Sequence, residues 1–207
     1  MQNKKKIAIF LAARSGSRRL PNKHFLKINS NYRIIDLCIS RLKKSKLVSK
    51  IFLCTTKKKE DNKFRSVCSK HKIRLFKGSN NDVAKRLIDC ALQNSVEIIV
   101  RITADCPLID PKIIDKCVSL HLLKKNDYTS NTLNLTFPDG LDVEVINLDA
   151  LIKSQKICNT PYNKEHVTFF LRNSKMFKKY NYKNIINLAN RRWTLDNLQD
   201  FFFLKKI

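Results

Sequence analysis

Short apolar runs alternate with amphipathic stretches along the first 123 residues of the chain. Apolar runs of four to six residues are typical of buried strands, whereas apolar residues at helical spacing indicate helices. The predicted strands are residues 7–12, 50–55, 73–76 and 98–102, and the predicted helices are residues 34–42, 61–71, 82–93 and 111–123. Pro111 begins the last of these helices, and proline favours the first helical turn.

The second half of the chain has a less regular pattern. We predict strands at residues 127–131, 141–146 and 192–195, and helices at residues 148–157 and 165–172. Strands that alternate with helices imply right-handed β-α-β crossovers. The pattern therefore predicts a three-layer α/β/α fold with a mostly parallel mixed sheet. No stretch reads as a linker, so we expect one domain over residues 1–207.

Composition favours a globular protein of the cytoplasm. Hydrophobic residues make up 43% of the 207, and no apolar run reaches the roughly 18 residues of a membrane span. Three lysines at residues 4–6 precede an apolar run and imitate a secretion signal, but Arg14, Arg18 and Arg19 follow where small residues belong. The seven cysteines contain no C-x-x-C pair, which predicts free thiols.

The formal charge of +25 attracts anions such as nucleic acid, membrane headgroups or phosphorylated small molecules. It arises from 42 Lys and Arg against 17 Asp and Glu. The cations are spread along the chain, and the abundance of Lys, Asn and Ile is typical of an AT-rich coding sequence. A solvated basic surface is therefore the simpler interpretation, and we expect no specific nucleic-acid partner and no membrane partner.

The loop after the first predicted strand, residues 14–23, combines a glycine with several cations. Gly16 permits close backbone approach, and successive N–H groups near Ser17 form an anion-binding concavity. The cations of the loop are Arg14, Arg18, Arg19 and Lys23. The glycine spacing matches neither a P-loop nor a dinucleotide fingerprint. This loop predicts an anion site, with an exposed basic loop as the alternative.

Two aspartates follow predicted strands, where a ligand site of an α/β sheet forms. Asp105 comes just after the run at 98–102, and Asp196 comes just after residues 192–195. Magnesium takes one or two carboxylates together with phosphate oxygens, so the pair is a candidate metal site. Alternatively, Asp105 pairs with a buried cation such as Arg101, and Asp196 is a helix N-cap.

Seven segments resemble one known family, and they occur in that family's order over nearly the whole chain. They are "ARSGSRRLPNK", "GSNNDVAKR", "VRITADCPLIDP", "DYTSN", "FPDGLDVEV", "EHVT" and "TLDNLQDF". The chain resembles the SpsF-type (spore-coat polysaccharide) cytidylyltransferases, relatives of the CMP-3-deoxy-manno-octulosonate and CMP-acylneuraminate synthetases. All three glycines fall inside these segments, which we interpret as positions where backbone geometry requires glycine.

The resemblance implies a nucleotide-diphosphosugar-transferase-like fold and transfer of CMP from CTP to an acidic sugar, with release of pyrophosphate. The acceptor would be a 2-keto-3-deoxy acid for surface polysaccharide or glycan synthesis. Implied nucleotide-binding residues are Ala13, Arg14, Gly16, Ser17, Arg19, Lys23, Asp82, Arg86 and Asp105. Implied catalytic residues are Arg19, Lys23 and Asp105; Glu165 and His166 would bind the sugar, and Asp105 and Asp196 would carry Mg²⁺. The resemblance leaves a homodimer open.

Three alternatives stay open. A degenerate family member is one, because Asn22 and Ala104 stand where the family usually has glycine. A glycosyltransferase on a similar fold is another, since Asp142 and Glu144 alternate onto one strand face and imitate a D-x-D metal motif. The third is a basic nucleic-acid-binding protein, although the sequence offers no aromatic stacking platform.

Overall fold

A computed structural model describes residues 5–17 and 19–207, so the expectations for Lys4 and Arg18 lie outside the described residues. Across this part of the chain, seven strands form one sheet in the order β3-β2-β1-β4-β6-β5-β7. The strands are β1 (Ile7–Ala12), β2 (Ile51–Thr56), β3 (Arg74–Gly78), β4 (Ile98–Thr103), β5 (Tyr128–Ser130), β6 (Glu144–Asn147) and β7 (Lys179–Asn181).

Eight α-helices surround this sheet within the described residues. They are α1 (Ile34–Leu42), α2 (Phe64–His71), α3 (Val83–Gln93), α4 (Pro111–Lys124), α5 (Leu148–Ile157), α6 (Pro161–His166), α7 (Phe169–Asn173) and α8 (Leu198–Lys206). Short 3-10 turns cover Lys23–Phe25 and Lys59–Lys63. Strand β1 pairs in parallel with β2 and β4, whereas β6 is antiparallel to both of its neighbours. The predicted mostly parallel mixed sheet is confirmed.

Strand β1 is buried on both faces, which explains its continuous apolar run. Ile9 belongs to a cluster that includes Ile39 of α1 and Ile114 of α4. Phe10 points to the opposite face, because side chains alternate along a strand, and it belongs to a cluster that includes Leu87 of α3. The sheet therefore lies between two helical layers, as predicted. The run after residues 4–6 is thus an inner strand.

The predicted helix over residues 165–172 is wrong. Two short helices, α6 and α7, meet instead at Val167, whose φ of 52° cannot continue a helix. The Thr168 hydroxyl donates to the buried Glu144 carboxylate at 2.6 Å, which fixes the break.

Two predicted strands are shorter or missing. The strand expected at 141–146 begins only at Glu144, because the Asn131 amide bonds both the Leu141 carbonyl and the Val143 N–H in place of a neighbouring strand. Residues 192–195 make one isolated bridge and join no strand of the sheet. There, the Trp193 N–H donates to the Asp139 carbonyl at 2.6 Å.

The sequence pattern did not predict two elements, β7 and α8. Strand β7 is only three residues long, too short for alternation to show. Helix α8 does carry a sequence signal, because Asn197 and Asp200 form a capping box at its start.

The seven cysteines are free thiols, as predicted, and six of them are buried. No helix among the described residues is both long enough and apolar enough to cross a lipid bilayer.

Candidate active site

A cavity of about 710 Å³ opens at the carboxyl ends of β1 and β4. Most of the predicted site residues line it, although they come from distant parts of the sequence. Those residues are Ala13, Arg14, Gly16, Ser17, Arg19, Lys23, Arg86, Asp105, Glu165 and Asp196. Two predicted residues, Asp82 and His166, do not belong to the lining formed by the described residues. The topology thus gathers the cationic loop and both aspartates around one space.

Backbone hydrogen bonds fix the shape of the loop after β1. The Ser15 N–H donates to the buried Asp61 carboxylate at 2.8 Å, and the Ser17 N–H donates to the Ser15 carbonyl at 2.9 Å. Asn22 has φ 57°, a left-handed conformation that asparagine tolerates better than most residues. Asparagine therefore replaces the family's usual glycine here without breaking the turn.

Lys23 joins the two predicted metal aspartates to each other. Its Nζ lies 3.1 Å from Asp105 Oδ2 and 3.0 Å from Asp196 Oδ1. It also donates to the Leu195 carbonyl at 2.7 Å. The Lys23 side chain is only 9% exposed. Three oxygen atoms from different parts of the chain therefore surround one ammonium group.

The cations around Asp105 and Asp196 keep both carboxyls ionised. Burial alone would raise the pKa of Asp105, but the charge of Lys23 and a hydrogen bond from Thr103 hold that pKa below its ordinary value. Burial opposes ionisation of Asp196 as well, and Lys23 and Arg192 lower its pKa in the same way.

The structure decides between the alternatives for these aspartates. Asp105 does not pair with Arg101, whose guanidinium contacts Glu144 instead. Asp196 is not an N-cap, because Asn197 caps helix α8. Two further cations contact Asp196: Arg19 at 3.1 Å and Arg192 at 2.8 Å. Three cationic side chains thus surround this one carboxylate.

The oxygens around Lys23 are the donor type that magnesium prefers, and their convergence on one point suits a small cation. Within residues 5–17 and 19–207, no three His, Cys, Asp or Glu side chains gather as a metal-binding group. A metal held here would therefore need further oxygens, such as those of phosphates. The residues fit Mg²⁺ that binds together with a phosphorylated ligand.

Of the predicted sugar-side pair, Glu165 lines the cavity and His166 does not. Arg14 Nη2 lies 3.0 Å from Glu165 Oε1, which links the loop after β1 to the end of α6. His166 instead stacks on Tyr162, with ring centroids 4.2 Å apart. It ends helix α6, whereas the predicted helix over residues 165–172 would have placed it at a helix start.

A buried charge network lies beneath the cavity and centres on Glu144. The Glu144 carboxylate contacts the Arg101 guanidinium, and it accepts hydrogen bonds at 2.6 Å from Tyr128 and from Thr168. These partners hold the pKa of Glu144 below its ordinary value although burial would raise it. Burial and the charges of Asp139 and Glu144 raise the pKa of Asp142 to about 6.

Two residues of the segment "GSNNDVAKR" have different positions: Arg86 lines the cavity, and Asp82 caps a helix. Arg86 is 2% exposed, lines the cavity and donates from Nε and Nη2 to the Ser79 carbonyl at 2.9 and 2.8 Å. A β carbon at Gly78 would stand 2.7 Å from Arg86 Cγ, so glycine makes room for this arginine. Asp82 caps helix α3 by accepting from the Lys85 N–H at 2.7 Å.

The cavity also has lining residues that the sequence did not single out as site residues. Lys58 follows β2 and adds a cation, and its position after a strand end was an available signal. Arg101 and His24 line the cavity as well. Burial and the neighbouring Lys23 lower the pKa of His24 to about 4. Its position next to Lys23 gave no sign that it would face the cavity.

The mostly parallel sheet, the cationic loop after β1 and the carboxylate beyond β4 define a nucleotidyltransferase-like α/β protein. The sequence model of the family described as Cytidylyltransferase matches residues 8–200. The chain belongs to the cytidylyltransferase family, whose members use CTP, and the predicted resemblance is confirmed.

Relatives of this chain agree with that assignment. It is 36% identical to a cytidylyltransferase from Leptospira borgpetersenii serovar Hardjo-bovis (strain JB197), with a TM-score of 0.93 over 97% of this chain and 85% of that one. It is 28% identical to the spore coat polysaccharide biosynthesis protein SpsF of Bacillus subtilis (strain 168), over 97% of this chain and 85% of SpsF. A CMP:2-keto-3-deoxy-manno-octonic acid synthetase complexed with CTP has a TM-score of 0.71 at 12% identity over 98% of both chains, which shows the shared fold.

Proposed function

We propose that this cytidylyltransferase transfers CMP from CTP to an acidic sugar, a 2-keto-3-deoxy acid such as a nonulosonate or an octulosonate. The observation that carries the proposal is the cavity in which the cations of the β1 loop face Asp105 and Asp196. The name of the octonic acid synthetase supports an acceptor of this class, and the name of SpsF supports a role in surface polysaccharide or glycan synthesis.

The cations of the loop are suited to a triphosphate. Arg14, Arg19 and Lys23 line one side of the cavity, where they would neutralise phosphate charge. In the reaction, a sugar hydroxyl oxygen bonds to the α-phosphorus as the bond between that phosphorus and the oxygen that bridges to the β-phosphate breaks. Pyrophosphate leaves, and the hydroxyl proton passes to water. Such a transfer depends mainly on positioning and charge neutralisation, which fixed cations supply.

Asp105 and Asp196 would hold Mg²⁺, which when bound would neutralise charge on the phosphates. Arg86 lies on the α3 side of the cavity, where we place the nucleoside, with Asp82 as the cap that positions its helix. Ala13, Gly16 and Ser17 would offer main chain close to the phosphates.

Glu165 is the better supported of the two sugar-side residues. It lines the cavity and contacts Arg14, so it sits between the triphosphate loop and the open rim. His166 adjoins it but stacks on Tyr162, so its contact with a sugar requires the ring to turn.

The D-x-D-like pair on which the glycosyltransferase alternative depends is not suited to a metal. Glu144 is 4% exposed and fully engaged by Arg101, Tyr128 and Thr168, so it cannot pair with Asp142 around a metal. The nucleic-acid interpretation stays a prediction of weak, salt-sensitive binding.

The test is a pyrophosphate-release assay with each of the four nucleoside triphosphates, Mg²⁺ and a panel of 2-keto-3-deoxy acids. We expect release with CTP and at least one acid, and none without an acid. Release with a neutral sugar and not with any acid would overturn the proposed acceptor class. No release with any acceptor would support the degenerate alternative.

A homodimer is a further part of the proposal. Three large apolar side chains are exposed: Ile185 (102%), Ile186 (67%) and Leu135 (58%). A hydrogen bond from the Leu188 N–H to the Thr136 carbonyl joins the two segments that carry them, so they offer an apolar surface to a second copy of the chain. Light scattering should give twice the monomer mass. The cytoplasmic, single-domain description stays a prediction.

A further inference from the structure

The ammonium group of Lys23 has no hydrogen left to donate. An ammonium carries three N–H donors, and three oxygens lie within bonding distance of Nζ: Asp105 Oδ2, Asp196 Oδ1 and the Leu195 carbonyl. Lys23 therefore cannot bind a phosphate while it keeps all three partners. At least one contact to a carboxylate or to the carbonyl must break when a triphosphate binds.

The same contacts place a positive charge against one oxygen of each carboxylate. The ammonium lies between Asp105 and Asp196, at 3.1 and 3.0 Å, which is the position that a cation shared by both would take. Arg19 and Arg192 add two more positive charges next to Asp196. A divalent cation that entered beside Lys23 would meet strong repulsion at these short distances.

We propose that Lys23 and the divalent metal are alternative occupants of the site between Asp105 and Asp196. In the nucleotide-free protein, Lys23 bridges the two carboxylates, offsets their charge together with Arg19 and Arg192, and excludes the metal. A triphosphate offers oxygens to the ammonium, Lys23 turns toward them, and the freed carboxylates accept the metal that arrives with the nucleotide. This inference deepens the proposed function and rests on it only for the identity of the two metal ligands.

The first experiment measures Mn²⁺ binding without nucleotide, using the electron paramagnetic resonance signal of free Mn²⁺. The variant Lys23→Met keeps an unbranched side chain that is one atom shorter, and it removes the charge. The control is Lys27→Met, which removes the same charge from an exposed lysine four residues further along. We expect wild type and Lys27→Met to bind Mn²⁺ weakly, and Lys23→Met to bind it at least about tenfold more tightly, since a contacting charge is gone.

Adding Asp196→Asn to Lys23→Met should remove that gain, which locates the metal at this site. Wild type that binds Mn²⁺ as tightly as Lys23→Met would overturn the inference, as would a gain that survives Asp196→Asn. If Lys23→Met unfolds in metal-free buffer, Mn²⁺ should restore a cooperative melting transition, because it replaces the missing cation. If Mn²⁺ does not restore this transition, the proposed exchange between Lys23 and metal is contradicted.

A second experiment tests the role of the triphosphate in the wild-type protein. Water-proton relaxation distinguishes Mn²⁺ on a slowly tumbling protein from Mn²⁺ on free CTP. The enhancement should appear only when protein, Mn²⁺ and CTP are all present, and an equal enhancement with protein and Mn²⁺ alone would refute the nucleotide requirement. Neither experiment needs a sugar or turnover, so a failed pyrophosphate assay would reject the proposed function and leave the exchange between Lys23 and metal standing.

Discussion

Gly140 lies against the main chain of Trp193, so close that a β carbon at Gly140 would stand 2.6 Å from the Trp193 carbonyl carbon. Gly140 also has φ +106°, a conformation that favours glycine. The segment that begins at Trp193 leads to Asp196, one of the two carboxylates that contact Lys23. The close approach at Gly140 therefore helps to place a site residue.

Gly140→Ala should destabilise the protein by about 1–3 kcal/mol or more, because it adds backbone strain to a steric clash. Gly16→Ala is the matched control, since a β carbon at Gly16 meets no described atom within 4 Å. We expect Gly16→Ala to change the free energy of unfolding by less than about 0.5 kcal/mol. Urea unfolding measures both, and equal losses would contradict the distinction.

Gly16→Ala has a second readout that concerns the ligand. If the glycine is there for close approach of a triphosphate, the variant should lose most of the CTP-induced increase in melting temperature while it keeps its own stability. An unchanged CTP response would mean that Gly16 does not serve the nucleotide.

Asp105→Asn should abolish most CMP transfer and also lower stability. Removing one carboxylate relieves no repulsion, because Lys23 already bridges Asp105 and Asp196. Losing one charged hydrogen bond costs about 1.5–3 kcal/mol. Pyrophosphate release and thermal melting measure the two effects.

Asp196→Asn provides the comparison for Asp105→Asn. It leaves the cap of α8 intact, because Asn197 fills that position. We expect loss of activity with a comparable loss of stability, since Asp196 contacts Lys23, Arg19 and Arg192. Full activity in both variants would remove the metal site from the proposed function.

The long elements of the first half were predictable because burial on both faces leaves a continuous apolar run. Ile9 and Phe10 face opposite helical layers, so neither face of β1 admits polar residues. The second half depends on side chains that replace main-chain partners. Asn131 bonds the main chain at Leu141 and Val143, and periodicity carries no record of such a contact.

The site residues were predictable as members of strand-end segments, but their pairing was not. Lys23 and Asp196 are 173 positions apart in the chain, and only the topology brings Nζ to 3.0 Å from the carboxylate. Sequence chemistry assigned the lysine to phosphate and the aspartate to metal. It could not reveal that each neutralises the other, since that depends on the distance between two loops.

Substitutions in the network around Glu144 should lower the stability of the protein by different amounts. Glu144→Gln leaves the buried Arg101 charge without its partner and should cost about 3–5 kcal/mol. Tyr128→Phe and Thr168→Val each remove one hydrogen bond to the carboxylate and should cost about 1.5–3 kcal/mol. Chemical denaturation measures all three, and a Glu144→Gln cost no larger than that of Tyr128→Phe would argue against charge compensation.

Asp36 should make stability depend on pH in the acid range. It is fully buried and contacts Arg33 Nε at 2.8 Å and His71 Nε2 at 2.7 Å. Burial would raise its pKa, but the hydrogen bonds from Arg33 and His71 hold the pKa well below its ordinary value. Because the folded pKa is the lower one, the stabilisation is fully present above the unfolded pKa of about 4 and is lost as pH falls below it.

The variant Asp36→Asn isolates this contribution from those of other carboxylates. It should be less stable than wild type at pH 7 by about 3–5 kcal/mol, and the difference should shrink as pH falls from about 5 to about 2. Urea unfolding at a series of pH values gives the difference directly. A constant difference between pH 7 and pH 3 would show that the Asp36 charge is not what stabilises this site.

CTP with Mg²⁺ should stabilise the protein more than ATP, GTP or UTP with Mg²⁺. A ligand that binds only the native state adds about 2.7 kcal/mol at a hundredfold excess over its Kd. The cations of the β1 loop would contact the phosphates of all four nucleotides alike, so a preference among the four must come from the base, which we place near Arg86. Thermal melting in about 0.15 M salt reduces non-specific attraction to the +25 surface. Equal shifts for all four triphosphates would indicate non-specific attraction alone and would contradict base selectivity.

The variant Arg86→Met tests where the base binds. A larger shift for CTP that disappears in Arg86→Met, with the shifts for the other three triphosphates unchanged, would support the placement of the base beside α3.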